Sequence, residues 1–314
     1  MPNLNVVVLG LPGYAGGIAK KGSVSDLVFY DLKKGDSQIT LVEPLRYPER
    51  LAPLFYACST ADAAIVVVEN IDHLFGESLV MLDSLGISQG AIVLRGFLQR
   101  EQIAPYLKGT VAEGYDFKPD DPVSLREWLL EEAASRTLDP QPSGTVPLDQ
   151  HFNVKGVGTV VLGKVVDGTV RKHDKLTVHP LGEVVNVRSI QKHDDDSPSA
   201  DRGDRVGLAL RGIESERLDK GYVLSSDPTI TDSNDFQAVI KLNGFWRTPV
   251  TEGMVLHLGH WMQVIPFRVA SATKDGTVHL VADDGLIHLP GDDATVMYLE
   301  GGKLRVVGSI KLPA

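Results

Sequence analysis

A glycine-rich segment follows the first apolar run of the chain, and its residue types are those that can bind a phosphate group. Residues 4–9 are mostly apolar and lead into residues 10–17, which read GLPGYAGG. A P-loop has the pattern G-x-x-x-x-G-K-[S/T], in which the lysine contacts the β- and γ-phosphates and the hydroxyl binds Mg²⁺. Counted from Gly10, the lysine position holds Gly16 and the hydroxyl position holds Gly17. Whether this chain hydrolyses a nucleotide therefore depends on these two positions.

The backbone of this segment could still attract an anion if a helix begins close to Gly17, because the first amides of a helix lack intrahelical partners. Such a site would lack the lysine and metal contacts that supply most of the catalysis in phosphoryl transfer. We expect Lys20 and Lys21 to form a solvated basic turn after it. The candidate residues of a remnant nucleotide site in this segment are Gly10, Gly13, Gly16 and Gly17.

The elements that position this segment form an α/β pattern. Apolar residues at helical spacing predict helices within residues 48–58 and 76–85. Ser124, with Glu127 three residues later, predicts the capping box of a helix over residues 125–136. Four apolar runs predict buried parallel strands at residues 5–9, 38–42, 63–68 and 90–94.

The pattern changes at residues 139–144, whose sequence DPQPSG is typical of a linker. Beyond them, short strand-like runs alternate with turn signals, and no helical spacing appears. This pattern favours small closed barrels, and a second break lies near residues 226–228. We therefore predict an α/β domain over residues 1–138, followed by two β-barrels over residues 145–227 and 233–314.

The composition limits the possible partners and surroundings. The chain has 314 residues and a net charge of −10, which disfavours a protein that coats nucleic acid but permits a local basic patch. Its single cysteine, Cys58, excludes an intrachain disulfide and favours a reducing compartment. No apolar run reaches the roughly 18 residues of a membrane span, and the first residues, MPN, lack the basic start of a secretory signal. We expect a cytoplasmic protein with neither a membrane nor DNA as a partner.

Neither a metal site nor a catalytic nucleophile is predicted. His173, His179 and His193 lie near the acidic run of residues 194–196, but their spacing matches no compact metal signature. We interpret the acidic run as a solvated hairpin loop. Cys58 lies in an apolar helical pattern, which favours a buried structural thiol over a nucleophile.

Three ordered segments of the first predicted barrel carry a family resemblance. They read DQHFNVKGVGTVVLG at residues 149–163, RSIQKHD at residues 188–194 and ADRGDRVGLAL at residues 200–210. These segments resemble the translational GTPases of the elongation factor Tu group, and most closely a shortened archaeal paralogue of the selenocysteine-specific elongation factor. Residues 20–26 and 82–87 extend a weaker resemblance into the first domain. The resemblance implies a degenerate G-domain-like α/β domain with two β-barrels, and no counterpart of that factor's additional RNA-reading domain is expected.

By this resemblance, the GTP site of the family is degenerate in this chain. The D-x-x-G motif, whose Asp acts on Mg²⁺ through water, aligns with Glu43 and Arg46. The catalytic His of the family aligns with Tyr47, and a phenol cannot orient the attacking water in the same geometry. The guanine-specifying N-K-x-D motif aligns with the sequence RGFL, which begins at Arg95.

A fourth loss is the short span from Gly10 to Glu43, which leaves little room for a switch segment over Mg²⁺. We interpret the chain as a pseudo-GTPase that engages tRNA or the translation machinery without the GTP and Mg²⁺ that its family binds. Two alternatives stay open. One is an active GTP-binding elongation factor that delivers a specialised aminoacyl-tRNA, and the other is a regulatory scaffold that binds proteins only.

The resemblance also implies where tRNA would bind, since the first barrel of the family holds the aminoacyl end and the second contacts the acceptor and T stems. Arginine suits such contacts because its planar guanidinium donates bidentate hydrogen bonds to phosphate. Two of the candidate residues could instead have a purely structural role: Phe152 could be a core residue and Arg205 an exposed strand residue. The expected partners are aminoacyl-tRNA, the ribosome or other translation factors. The candidates for the tRNA end are His151, Phe152, Arg188, Arg205 and Arg211.

Overall fold

The computed structural model describes residues 3–136 and 143–314. Residues 3–136 form an α/β domain. Its strands are β1 (Asn3–Leu9), β2 (Lys20–Val24), β3 (Leu27–Lys34), β4 (Ser37–Pro44), β5 (Ala63–Val68), β6 (Gly90–Leu94) and β7 (Asp116–Lys118). Its helices are α1 (Ala52–Ser59), α2 (His73–Ser84), α3 (Arg100–Leu107) and α4 (Pro122–Ser135). The strands form one sheet with the order β2-β3-β4-β1-β5-β6-β7.

The four predicted parallel strands are confirmed at the centre of this sheet. β1 pairs in parallel with β4 on one side and with β5 on the other, and β6 continues beside β5. Helices α1, α2 and α3 pack on one face and α4 on the other, so β1 and β5 are buried along their whole length. The carboxyl ends of these strands therefore meet at one edge of the sheet, which is where the glycine-rich segment begins.

The segment between the glycine-rich loop and β4 differs from the sequence prediction. It forms an antiparallel hairpin of β2 and β3 at the edge of the sheet. Lys20 and Lys21 lie in β2 and not in a turn, so that prediction was wrong, although both residues are exposed. The pairing is irregular between Lys21 and Val24, around Gly22, and β2 is mostly polar. Neither feature gives the regular alternation by which a strand is predicted.

The predicted helices are confirmed in position, with different bounds. α4 begins at Pro122 and not at Leu125, because Asp121 is its N-cap: the Asp121 carboxylate accepts a hydrogen bond from the Ser124 amide at 2.8 Å. The prediction that Ser124 caps this helix was therefore wrong. A proline at the first helical position fits this assignment, since its missing N–H would have no partner there.

Residues 145–225 form the first barrel. Its main sheet has the order β11-β16-β8-β9-β15-β12-β13, and the additional pairing of β11 with β12 closes it. Alternate residues point inward to an aliphatic core. The strands are β8 (Thr145–Val154), β9 (Gly158–Lys164), β10 (Thr169–Arg171), β11 (Lys175–His179), β12 (Glu183–Lys192), β13 (Asp195–Ser197), β14 (Ser199–Asp201), β15 (Arg205–Arg211) and β16 (Val223–Ser225).

Residues 231–311 form the second barrel, whose sheet has the order β17-β21-β20-β19-β22-β23-β18. Of the predicted linker, residues 139–142 lie outside the described part of the chain, as does the predicted domain boundary at residue 138. The strands are β17 (Thr231–Val239), β18 (Lys241–Leu242), β19 (Val255–His260), β20 (Gln263–Ala272), β21 (Thr277–His288), β22 (Asp293–Met297) and β23 (Val306–Lys311).

The first domain and the second barrel share a hydrophobic core. Met262, Met297 and Val306 of the barrel belong to the same buried cluster as Phe55 of α1. Gly259 permits this close packing, because a Cβ atom at its position would lie 2.6 Å from the Phe55 ring. The helices of the first domain are thus held against the second barrel by apolar burial.

Candidate functional site

The glycine-rich loop leaves the sheet at Gly10, where only glycine fits. Its φ is +96°, and a Cβ atom would lie 1.9 Å from the carbonyl oxygen of Val67. The loop continues into one 3₁₀ turn, Tyr14–Gly17, and then enters β2. No α-helix begins near Gly17, so the condition for an anion site there is not met, and the loop lacks the helix dipole that would favour an anion.

The carboxylate of Glu43 accepts hydrogen bonds from backbone amides of this loop. Glu43 lies near the end of β4 and is buried, with 4% of its surface exposed. Its Oε2 accepts a hydrogen bond from the Gly13 amide at 2.8 Å, and its Oε1 accepts one from the Ala15 amide at 2.7 Å. The Tyr30 hydroxyl donates a third, at 3.1 Å to Oε2. Burial, followed by the charge of Glu43, raises the pKa of Tyr30 to about 12, so the phenol stays a donor.

Arg95 directly follows β6, where the resemblance implies the guanine-specifying motif. Its guanidinium pairs with two carboxylates. Its Nη1 donates to Glu69 at 2.9 Å and its Nε donates to Asp120 at 2.8 Å. The other oxygen of Asp120 accepts a hydrogen bond from the Tyr14 hydroxyl at 2.7 Å. Burial and this hydrogen bond raise the pKa of Tyr14 well above its ordinary value. These hydrogen bonds join the glycine loop to the ends of β5 and β6. Phe97, two residues after Arg95, is 98% exposed.

A cavity of about 180 Å³ lies between the glycine loop and α2. Gly10, Glu43 and Tyr47 are among the residues that line it. Two acidic residues, Glu69 and Asp72, also line the cavity, and none of its lining residues is a lysine or an arginine. The cavity is therefore electrostatically unsuited to a polyphosphate.

The predicted remnant residues thus lie around one edge of the sheet, but with new partners. Gly16 packs beside the Tyr30 ring, since a Cβ atom there would lie 3.6 Å from it. The carbonyl oxygen of Gly17 accepts a hydrogen bond from Arg126 of α4 at 2.7 Å. The Tyr47 hydroxyl is 3.1 Å from the carboxylate of Glu77 on α2.

Four of the five tRNA-end candidates lie on or near the surface of the first barrel. Phe152 is 39% exposed, so its alternative as a core residue is wrong. Arg188 and Arg211 are exposed, and the Arg188 guanidinium donates to the carbonyl oxygen of Val157 at 2.7 Å. His151 is half-buried, with its Nδ1 3.3 Å from the hydroxyl of a buried serine, Ser215.

Arg205 has a different role from either one predicted for it. Its guanidinium forms two hydrogen bonds to the buried carboxylate of Asp149 on the same barrel. It also stacks on the ring of Phe29 in the first domain, 3.5 Å from the centroid, and approaches Ser23 at 3.4 Å. Only 13% of its side chain is exposed. Arg205 therefore joins two domains and is neither an exposed strand residue nor free to bind tRNA.

Comparisons with known proteins agree with this architecture. The model of elongation factor Tu domain 2 matches residues 158–225. An uncharacterized protein of Methanocaldococcus jannaschii is 37% identical over 251 residues, which cover 79% of this chain and 80% of that protein. The selenocysteine-specific elongation factor of the same organism is 28% identical over 268 residues. The chain belongs to the elongation factor Tu group of translational GTPases.

The solved structures of this group confirm the fold along the chain. The selenocysteine-specific factor of Methanococcus maripaludis, solved with a GTP analogue, has a TM-score of 0.82 at 21% identity and covers 99% of this chain and 79% of its own. A bacterial factor of the same kind has a TM-score of 0.85 at 18% identity. The G-domain-like domain followed by β-barrels is thus confirmed. The alignment covers 79% of this chain and 57% of the Methanocaldococcus selenocysteine-specific factor.

One contact of this elongation factor Tu-like chain that its sequence does not predict joins the first domain to the second barrel. Glu77 on α2 is 1% exposed and pairs with Arg305, which precedes β23 in the second barrel. The two residues are 228 positions apart, so no local pattern could have joined them.

The described residues contain neither a candidate metal cluster nor a helix that could span a membrane. Among residues 3–136 and 143–314, no group of three or more His, Cys, Asp or Glu is placed to hold a metal ion. None of the helices in the same ranges combines the length and the apolar character needed to cross a membrane.

Proposed function

We propose that this protein is a translation elongation factor-like protein that acts without a GTP cycle. The observation that carries the proposal is the Glu43 carboxylate, which accepts hydrogen bonds from Gly13 and Ala15. A phosphate would have to displace this tethered anion from the loop. The displaced carboxylate would then lose two of its three hydrogen bonds while it stays buried, which is costly.

The surroundings of the loop support the same proposal. Counted from Gly10, the chain has no lysine or hydroxyl at the P-loop positions, so the contacts that stabilise a transferred phosphoryl group are missing. On the side where the family places its guanine motif, Arg95 is engaged by Glu69 and Asp120. We propose that neither GTP nor Mg²⁺ is a cofactor of this protein.

The first barrel supports tRNA or a component of the translation machinery as the partner. Phe152, Arg188 and Arg211 combine an exposed aromatic ring with two exposed guanidinium groups. Aromatic rings stack on unpaired bases and arginine binds phosphate, so this combination suits a single-stranded RNA end. The named relative is an elongation factor, and the family resemblance implies the aminoacyl end of tRNA as a ligand of this barrel, which supports this choice of partner.

Nucleotide titration by calorimetry tests the first part of the proposal. With GTP or GDP and Mg²⁺ we expect no binding tighter than about 1 mM. The variant Glu43→Ala should gain weak binding of inorganic phosphate, since it frees the loop amides. The control Glu49→Ala removes an exposed carboxylate of the same domain and should leave phosphate binding unchanged. A dissociation constant of about 1 µM for GTP with the unaltered protein would favour an active GTP-binding factor instead.

Filter binding tests the second part, with aminoacylated and deacylated tRNA at low salt. We expect aminoacylated tRNA to bind, and Phe152→Ala to weaken it by about 1–3 kcal/mol, the usual contribution of one stacked base. Val184→Ala is the matched control, because Val184 is 56% exposed on the same barrel. If neither tRNA binds, the tRNA role fails and a scaffold that binds proteins only becomes the better hypothesis.

A further inference from the structure

A cleft opens where the first domain and both barrels meet. Its volume is about 630 Å³, within the roughly 300–1,000 Å³ that is usual for ligand pockets. Tyr56 lines it from the first domain, Tyr222 from the first barrel and Met262 from the second barrel. Because each of the three domains contributes to its walls, the cleft exists only in the packed molecule. A partner that fits this three-domain cleft therefore recognises the arrangement of the domains and not one domain alone.

The inner lining of the three-domain cleft is apolar. Met262 and Ile287 are each 3% exposed, and Val264 and Ile265 of the same barrel are half-buried. The half-buried ring of Tyr222 adds an aromatic surface from the first barrel. An apolar side chain that enters the cleft leaves water at this lining, and its burial favours binding.

Four carboxylates line the same cleft without a cation to pair with. All four residues are exposed, and within residues 3–136 and 143–314 none of them forms an ion pair. Lys220 is the one basic residue in the described lining, but its Nζ donates to Asp26 at 2.6 Å and lies over the Tyr56 ring. The cleft therefore carries a net negative charge. The four carboxylates belong to Asp219 of the first barrel and to Asp232, Asp283 and Asp284 of the second.

The strand pairing of the second barrel brings three of these carboxylates together. β17 and β21 pair irregularly, and residues 282–285 of β21 bulge out of the ladder. The bulge carries Asp283 and Asp284. Asp232 lies against it, because a Cβ atom on Gly285 would overlap the Asp232 carboxylate. Like charges held in one place repel one another, and a bound cation relieves this repulsion.

We propose that the three-domain cleft docks a basic segment of a partner protein. An apolar side chain of this segment packs against Met262 and Ile287, and flanking lysine or arginine residues pair with the four carboxylates. Charge complementarity selects this occupant, because a negative cleft attracts cations and repels the phosphates of RNA. An apolar centre with a polar rim is also the usual anatomy of a protein interface.

Two smaller occupants fit the cleft less well. Among the described residues, no group of three or more ligating side chains is placed to hold a metal ion. A polyamine neutralises carboxylates but has no side chain to fill the apolar lining. The proposal goes beyond the proposed function, because it concerns a partner protein and because Phe152, Arg188 and Arg211 do not line the cleft.

Fluorescence anisotropy with a labelled probe peptide, GKRLFKRLG, tests the docking on the full chain. We expect a dissociation constant of about 10–100 µM at low salt. The double variant Asp283→Asn with Asp284→Asn should weaken binding about tenfold, since it removes two of the four attracting charges. The control Asp36→Asn with Glu252→Gln removes two exposed carboxylates that do not line the cleft, and its affinity should stay unchanged. Both variants have the same net charge, so a difference between them reports the position of the charges.

A second probe peptide, GKRSSKRSG, tests the apolar lining, since it keeps the charges but lacks the apolar side chains. It should bind about tenfold more weakly than the first probe. Equal binding of the two probes, or equal binding of the first probe by the two double variants, would mean charge attraction without docking, and the proposal would be wrong. Displacement of the first probe by spermidine at the same concentration would indicate a polyamine site instead. Ultraviolet cross-linking of bound tRNA to Tyr222 would identify RNA as the occupant and would also overturn the proposal.

Discussion

At the scale of single residues, the role of a side chain is decided by the partner that the fold brings to it. The family resemblance implies a metal-binding aspartate at the position of Glu43, and the Glu43 carboxylate accepts hydrogen bonds from two loop amides. Arg205 stands in a barrel segment that resembles the tRNA-binding family, yet it pairs with buried Asp149 and stacks on Phe29. Both residues are charged groups placed inside the molecule, where an unpaired charge would be costly.

Removal of Arg205 should destabilise the protein, whereas removal of Arg211 should not. Arg205→Met leaves Asp149, 5% exposed, as an uncompensated buried charge, for which the usual cost is about 3–5 kcal/mol. Arg211→Met changes an exposed side chain of the same strand and should stay within about 0.5 kcal/mol. Thermal and urea denaturation of both variants measure the difference. Equal midpoints for the two would show that the Arg205 contact contributes little.

At the scale of elements, strand ends of different domains meet through buried polar groups. Asp62, just before β5, accepts hydrogen bonds from the amide and side chain of Asn5 on β1 at 2.9 and 2.8 Å. It also pairs with Lys164 at the end of β9 and with Arg136, each at 3.2 Å. The first domain and the first barrel are thus held together by a carboxylate that must stay ionised.

This contact should weaken in acid. Burial alone would raise the pKa of Asp62, but Lys164, Arg136 and the Asn5 hydrogen bonds lower it below its ordinary value. Its contribution to stability is therefore present above the unfolded pKa of about 3.9 and is lost as the pH falls through the lower folded pKa. Denaturation between pH 6 and pH 2 should show a steeper loss of stability for the unaltered protein than for Asp62→Asn. Parallel curves would contradict this assignment.

At the scale of the whole molecule, the first domain and the barrels form one packed unit. The hydrophobic core of α1 and α2 continues into the second barrel. Lys220 of the first barrel pairs with Asp26 and lies 3.6 Å from the centroid of the Tyr56 ring in the first domain. Such extensive contacts do not favour large domain rearrangements.

Gly259 should be sensitive to a single added methyl group. In Gly259→Ala the new Cβ atom would lie 2.6 Å from the Phe55 ring and 2.8 Å from the Met297 methyl group, inside a fully buried core. Overpacking of this kind costs about 1–3 kcal/mol. Gly244→Ala is the control, because no atom lies within 4 Å of its Cβ position. Thermal unfolding and small-angle scattering would show whether Gly259→Ala separates the first domain from the second barrel; an unchanged midpoint would contradict the packing.

Much of the fold could be predicted from the sequence, because it depends on patterns within short segments. The runs at β5 and β6 were predicted with the bounds that the structure has, since fully buried strands are uninterrupted apolar runs. The β2–β3 hairpin was missed because β2 is exposed and irregular. The cap of α4 was misassigned because Asp121 and Ser124 are both good caps, and Pro122 at the first helical position decided between them.

The sequence by itself determined the four central strands of the first domain, the family resemblance and the absence of a lysine from the glycine loop at residues 10–17. Only the tertiary structure decided what replaces the missing groups. Glu43 reaches amides 28 and 30 positions away, and Arg305 reaches Glu77 across 228 positions. Local patterns report the burial and spacing of one segment, whereas the partner of a buried charge depends on which distant segments the packing brings together.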